Sequence, residues 1–596
     1  MTERYLERKS KADGRRKKLE IKSSIIANFR LAVFAFLVFL FFRGYHGENA
    51  LVNILMLISI ASFIILIMIH NRIKESINLE KMRIEIAERH IKRISGDWRD
   101  FSDTGDEFQD SKHPYTKDLD VFGKNSVFQL LNRTHTHNGR LRFAENLKYP
   151  DFSLAEIKER SEGIEELSGL LDFTEDLEAV AEINQSNMKD PEKLLEYAEK
   201  NSRLFSSNAV RNIIRIFPLV VISGLVSLSF TKAFLIPALL LFLAQIIIWF
   251  VGVVKNQDAL SIVNYLKYNL ITYAGLMRII EKESFKSSYL KAVRSAMFKD
   301  ESSSLRAINM LSKLTGLVNL RVQGILNVLL NAFLLWDYQC VFLLEDWKSH
   351  YGSEVRGWLN GIGELEALSS FAEIGNVLKG TNFSKISEGK LKFQAKGLGH
   401  PLIADKLRVA NDITLDNEIL IITGSNMSGK TTFLRTIGIN LILAYNGARS
   451  VCEELSVSKM SIYTSMRVVD DLGSGVSTFY AEILRIKEII DAAAVNPNQM
   501  FLIDEIFRGT NSADRIAGAK NVILNLKKSG AIGAISTHDL ELSRLDDGKR
   551  IVNYHFADTY DGDTISFDYK IKRGPSTATN AKNLMKLAGI PMQEDD

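Results

Sequence analysis

The stretch Gly424-Ser425-Asn426-Met427-Ser428-Gly429-Lys430-Thr431-Thr432 sets its glycines, lysine and threonines in the spacing G-x-x-x-x-G-K-[ST]. A loop of this kind turns backbone N–H groups and a helix N-terminus toward anionic phosphates. Lys430 is expected to reach the β- and γ-phosphates, and Thr431 to place its hydroxyl on Mg²⁺. Leu420-Ile421-Ile422 leads in as a strand, and Phe433-Leu434-Arg435-Thr436-Ile437 follows as a helix. The chemistry this predicts is binding of ATP or GTP; a Gly-rich turn that binds nothing is the bland alternative.

Two further strand ends point the same way. Met500-Phe501-Leu502-Ile503-Asp504-Glu505 reads as a buried parallel strand that delivers two acids to its C-terminal edge. Asp504 would hold the Mg²⁺ shell and Glu505 would polarise an attacking water. Ala531 to His538 is another apolar strand ending in a polar cluster, where His538 would sense the γ-phosphate or position water. Alone, an acid pair or a histidine at a strand end is weak evidence. In this chain order the three predict phosphoryl transfer to water, driven by positioning and electrostatics.

The elements around these residues follow from the apolar runs. In the 596-residue chain, Ile25–Phe42 and Ala50–Ile69 are separated by a short polar stretch, and Ile216–Phe230 and Ala233–Val254 flank Thr231-Lys232. A bilayer core needs roughly 20 apolar residues per helix, so two transmembrane hairpins are expected. The alternative, a buried core helix, is most plausible for Ile216–Phe230. The first run does not read as a signal peptide, because a second span follows it. Basic residues on both flanks of the first hairpin put them in the cytoplasm. The expected division is 1–24 a basic cytoplasmic tail, 25–70 the first hairpin, 71–215 a helical soluble region and 216–254 the second hairpin. Residues 255–380 form further helices, and 381–596 the nucleotide domain. Val322–Leu344, apolar but interrupted by Asn327, Asn331 and Asp337, is expected to be a buried bundle helix.

Composition excludes several classes. The two cysteines, Cys340 and Cys452, lie far apart, against a disulfide scaffold or a zinc site. His135 and His137 in Thr134-His135-Thr136-His137 read as a turn, and no structural metal is expected. The net charge is +4, yet residues 1–30 hold ten Lys/Arg against four acids, so the remainder is slightly acidic. The basic start suits membrane orientation and anionic lipid. No basic stripe of the kind a DNA-binding domain shows dominates the rest.

The spelling of these motifs resembles the MutS mismatch-repair ATPases, a branch of the ABC-like ATPases. Met427 inside the phosphate loop carries the resemblance first. Gly399-His400-Pro401-Leu402 and Val409-Ala410-Asn411-Asp412 lie before it. Asp470-Asp471-Leu472 and Ser477-Thr478-Phe479-Tyr480-Ala481-Glu482 follow, then Asp504 to Asn511, Ser536-Thr537-His538 and Leu587-Ala588-Gly589-Ile590-Pro591. A weaker likeness, Asp118-Leu119-Asp120-Val121-Phe122-Gly123 and Leu130 to Thr134, is similar to the start of that family's helical core, with Ser304 to Leu368 as its return half.

The fold the resemblance implies is an α/β P-loop (ABC/MutS-like) ATPase domain after a helical core, here with four transmembrane helices in two hairpins. It implies ATP and Mg²⁺ as cofactors, Gly424 to Thr432 around the nucleotide, and Thr431 and Asp504 at the metal. Glu505, His538 and Lys430 would carry catalysis. Ser477 would approach nucleotide in a partner subunit, so a homodimer through the ATPase domains is expected. Membrane lipid is an expected partner, with the protein crossing the cell (inner) membrane and its ATPase domain in the cytoplasm. The second hairpin occupies the interval where the family carries a DNA-clasping clamp, and no room is left for a mismatch-reading domain before the first. Phe143-Ala144-Glu145 and Phe371-Ala372-Glu373 share the spelling of the mismatch wedge but fall in core helices and read as chance. Duplex DNA therefore stays open as a ligand; the alternative is a mechanochemical membrane ATPase with no DNA role. Within the motifs, Ser425, Ser428 and Ile506-Phe507 depart from the family's usual residues without removing a catalytic group.

Overall fold

Two long antiparallel helices, Thr2–Gly44 and Ala50–Ser95, begin the chain. The structure is a computed structural model. It describes residues 1–596 except 45–49, 201–204, 206, 299–302, 323, 426, 468–477, 508–510, 562–563 and 577–596. At 1.5 Å per residue each of the two helices is about 65 Å long. Their apolar halves face outward, with Phe36, Phe39, Ile64 and Ile65 exposed. Their charged halves pair with each other through Lys9–Glu88 (2.8 Å) and Arg15–Glu80 (3.2 Å), and with the helical core through Arg8–Glu175 (2.6 Å) and Arg83–Asp176 (2.6 Å).

Residues 1–24 are thus not a tail. They form the first turns of a continuous helix, supported by i,i+4 pairs such as Lys17–Asp13 and docked where Tyr5 stacks on His90 at 4.5 Å. The divisions expected at 24, 70 and 254 all fall inside helices. Nothing breaks the backbone where composition changes, because helix propensity is indifferent to whether the outward face is apolar or charged.

The second apolar pair is Asn208–Ser227 and Leu235–Tyr265. With the first pair, four helices among the described residues are long and apolar enough to cross a membrane, or five if the bent pair Ser304–Asn319 and Gly324–Leu334 counts as one span. Val322–Leu344 differs from its expected form. It is two helices, Gly324–Leu334 and Trp336–Tyr351, broken at Leu335, whose φ of 49° is left-handed. The first of the two exposes Ile325, Val328 and Leu329 rather than burying them.

Helix Val355–Val377 is the axis of the helical core and is buried along nearly all its length. Three acids on it stay buried, two against cations and Glu366 on hydrogen bonds from backbone N–H groups and a hydroxyl. Glu364 accepts from Arg142 and Arg160; Glu366 accepts the N–H groups of His135 (2.9 Å) and Thr136 (3.2 Å); Glu373 meets His90 and Arg133. Phe143 and Phe371 pack edge-on at 5.1 Å inside this core, consistent with a packing role.

Among the described residues twelve strands follow: β1 Thr381–Phe383, β2 Lys385–Ser387, β3 Lys392–Leu398, β4 Asn411–Asp416, β5 Ile419–Thr423, β6 Arg449–Val451, β7 Glu454–Ser458, β8 Ser461–Ser465, β9 Gln499–Asp504, β10 Ile532–Thr537, β11 Ile551–Asp561 and β12 Thr564–Arg573. The main sheet has the order β12-β11-β5-β10-β9-β8. It is parallel throughout except for β12, which pairs antiparallel with β11. β5, β9 and β10 are buried at every residue, as central parallel strands covered on both faces must be. Helix Lys430–Tyr445 packs beneath this sheet, buried on almost every side. Asp118 clasps the helical region to the sheet edge, accepting from Thr464 Oγ1 (2.7 Å) and from the N–H groups of Met466 and Arg467 (3.0 Å each).

Candidate active site

β5 ends at Thr423, and the chain turns through Gly424 to Gly429 into helix Lys430–Tyr445. Gly424, at φ 148°, is required by closeness: a Cβ there would sit 2.9 Å from Ser428 Oγ and 3.0 Å from the Phe556 carbonyl. Gly429, at φ 102°, sits at the helix start in the left-handed region that side chains avoid. Ser428 closes the loop on itself, its hydroxyl donating to the Ser425 carbonyl at 2.9 Å. Lys430 folds back into the loop, Nζ donating to the carbonyls of Gly424 (2.9 Å) and Ser425 (2.7 Å), and lies 3.5 Å from His538 Nε2.

The parallel register brings the ends of β9 and β10 beside this loop. Thr431 Oγ1 donates to Asp504 Oδ2 at 2.7 Å, and Ser536 Oγ donates to Asp504 Oδ1. A hydroxyl and a carboxylate held together beside this glycine-rich loop are hard oxygen donors of the kind Mg²⁺ takes. The next residue, Glu505, has a left-handed backbone at φ 48°. Its N–H donates to the Ser536 carbonyl and Oγ, both at 3.1 Å, and its Oε1 lies 2.8 Å from His538 Nε2. Backbone held in this region costs of order 1–3 kcal/mol and persists only where its surroundings enforce it.

The residues expected at the site therefore converge at one sheet edge: Lys430, Thr431, Asp504, Glu505 and His538. Asn426 and Ser477 lie outside the described residues, as do Asp470 to Leu472 and Leu587 to Pro591. Met427 is exposed at the rim of a cavity of about 550 Å³ that also takes in Gly429, Thr431, Thr432 and Phe433. Across it stand His400, Leu407, Val409 and Tyr569. Burial, with Arg435 and Arg408 nearby, depresses the His400 imidazole to about 3, so it is neutral. A larger cavity of about 760 Å³ at the seam with the helical core, lined by His113, Tyr149 and Lys459, contains none of these residues.

Sequence reasoning missed several supports. Arg515, on helix Ser512–Ser529, donates through Nε and Nη2 to the two oxygens of Asp539, at 2.7 Å each. That fork pins the turn that carries His538. Phe507, at φ 63°, donates its N–H to Glu482 on helix Thr478–Val495, and its ring meets Phe479 at 5.8 Å. Gly518 gives the Phe507 ring its space, since a Cβ there would lie 2.7 Å from the ring edge. Only the departure at Phe507 was visible in the chain. Nothing in the local sequence marks Arg515 or Gly518.

The His135 region also holds an arrangement that the sequence does not suggest. His135, Glu178 and Glu182 bring ligand atoms within 4.8 Å of one another. Arg133 donates to Glu178 at 2.6 Å, and Arg89 donates to both Glu178 and Glu182. These guanidinium groups pair with the carboxylates in a partly buried ion-pair network.

Residues 420–594 match the family model described as MutS domain V. The chain is 32% identical to the DNA mismatch repair protein MutS of Methanococcoides burtonii over 242 residues, covering 39% of this chain and 27% of that protein. It is 33% identical to the same-named protein of Staphylococcus epidermidis over 273 residues, covering 44% and 30%. It is 31% identical to DNA mismatch repair protein MutS 2 of Halobacterium salinarum over 266 residues, covering 43% and 30%. The match therefore spans less than a third of each of these relatives.

Proposed function

We propose that the chain is a membrane-anchored ATPase that hydrolyses ATP in a dimer of its C-terminal domains, a reading supported by the match of residues 420–594 to MutS domain V. The observation that carries this is the convergence of Lys430, Thr431, Asp504, Glu505 and His538 at the ends of β5, β9 and β10. Lys430 would exchange its loop carbonyls for the β- and γ-phosphates. Thr431 and Asp504 would hold Mg²⁺, which when bound neutralises charge on the phosphates. Glu505 would orient and polarise the attacking water, with His538 fixing the carboxylate and reading the γ-phosphate. Asn426 and the neighbouring loop N–H groups would surround the phosphates, and Ser477 would act on the partner's nucleotide.

Membrane anchoring is supported by the four apolar helices, whose most apolar windows are between 6% and 22% buried within the protein. Apolar patches of that size in water are otherwise marks of association. Basic residues at both ends of the first hairpin favour a cytoplasmic ATPase domain.

Duplex DNA is the load that the relatives' names suggest. A second reading, movement of a membrane partner with no DNA role, is favoured by the apolar hairpin in the interval where a clamp would be expected. One assay separates them: ATP turnover of detergent-solubilised protein with and without homoduplex, mismatched and branched DNA. Salt-sensitive binding and stimulation support the DNA load. No binding at low salt, with turnover intact, excludes it. Loss of all turnover in Glu505→Gln with nucleotide still bound supports the site itself.

A further inference from the structure

Helix Gly324–Leu334 carries no charged residue, and none occurs from Val322 to Trp336. Ile325 is 83% exposed, and Val328 and Leu329 are about half exposed. Apolar side chains left in water are unfavourable in proportion to their exposed area, so this face calls for an apolar cover.

Its position says what the cover is. Gln245 lies midway along the second hairpin's apolar helix, and its Nε2 donates to the Ala332 carbonyl at 2.6 Å. Phe242, nearer the far end of that span, packs on Phe333 with ring centroids 5.8 Å apart. Further along, the Tyr338 hydroxyl donates to the Ile248 carbonyl at 3.0 Å, and Asp346 meets Arg211 and Arg215 at the charged foot of the hairpin. The chain therefore climbs from the charged foot at Asp346 to the middle of the span at Ala332. Its polar groups are also closed on one another. Asn331 donates to Asn327 Oδ1 at 2.7 Å and accepts from the Asp337 N–H at 3.0 Å, while Arg321 pairs with Asp337 at 3.2 Å. Mutual satisfaction of this kind is what a segment at hydrocarbon depth requires. Eleven residues of helix reach about 16 Å, half of the roughly 30 Å core.

We propose that Gly324–Leu334 is a re-entrant element that enters the bilayer beside the second hairpin without crossing it, presenting Ile325, Val328 and Leu329 to acyl chains. This rests on the reading that the second hairpin spans a membrane, and the test separates the two. Ile325→Cys, Leu329→Cys and, as reference on the hairpin, Leu240→Cys are each labelled with a polarity-sensitive maleimide fluorophore; Cys340 and Cys452 are buried. The full-length protein is placed in phosphatidylcholine vesicles with or without acyl-chain doxyl lipid, and ATP turnover confirms folding. Val328→Cys replaces any variant that loses turnover.

The expected result is loss of fluorescence to doxyl lipid at 325 and 329 as large as that at 240, with no response to iodide. Iodide quenching at 325 and 329, with doxyl quenching at 240, overturns the re-entrant element and leaves the hairpin standing. Iodide quenching at all three sites overturns both. Silence to both quenchers at 325 and 329 means that protein covers this face, and also overturns the proposal.

Discussion

His538 Nε2 lies 2.8 Å from Glu505 Oε1, joining a histidine at the end of β10 to the acid just past the end of β9. The contact aims a carboxylate whose backbone is held at φ 48°, so its orientation rests on the surroundings rather than on local preference. Glu505→Gln is expected to bind ATP and lose about 10²–10⁴-fold in turnover, the usual worth of a positioned acid–base group. His538→Ala should retain binding and lose less. Nucleotide binding measured beside single-turnover hydrolysis checks both; undiminished hydrolysis in Glu505→Gln refutes the assignment.

Lys430→Ala should abolish nucleotide binding, because its ammonium is seated on the loop's own carbonyls. Asp504→Asn should instead bind nucleotide and need far more Mg²⁺ for turnover. A magnesium titration of ATP turnover distinguishes the two, and an unchanged Mg²⁺ requirement counts against Asp504 as a metal ligand.

Arg515→Lys keeps the charge but loses the planar two-point grip on Asp539. Since the fork acts by positioning His538, turnover should fall while ATP affinity stays the same. The readout is a split between kcat and KM; equal changes in both would mean that the pair has a general structural role.

Gly518→Ala places a methyl group 2.7 Å from the Phe507 ring. Overpacking of this kind costs about 1–3 kcal/mol. In a Phe507→Ala background the same change should reverse sign, because alanine is the better helix former by about 1 kcal/mol. Thermal unfolding of the four proteins in detergent gives the coupling; additive effects would refute the contact.

The buried His400 is held at about 3, below the ordinary histidine value near 6.5. The unfolded chain therefore binds the extra proton across that interval, and stability falls as pH drops through it. At pH 5 the penalty is about 2 kcal/mol. His400→Gln should lose less stability than the parent between pH 7.5 and pH 5. Parallel melting curves at the two pH values test this, and identical pH sensitivity would mean that His400 is not the titrating group.

The chemical identities at the site were legible because each motif is a short continuous stretch. Loop, strand and helix signals from Leu420 to Ile437 are local, and so are the acids past β9 and the histidine past β10. The supports were not legible, because their partners are distant in sequence. Asp118 reaches Thr464 346 residues away, and the need for Gly518 appears only once the Phe507 ring is in place.

By itself, then, the sequence determined which side chains gather at the glycine-rich loop, and that long apolar helices exist, since periodicity and spacing encode both. The tertiary structure decided how they work together. Parallel register put Asp504 against Thr431, the Arg515 fork set the turn of His538, and the left-handed residue at Leu335 split one expected helix into two. Each depends on which surfaces are packed together, and packing between segments far apart along the chain leaves no local pattern to read.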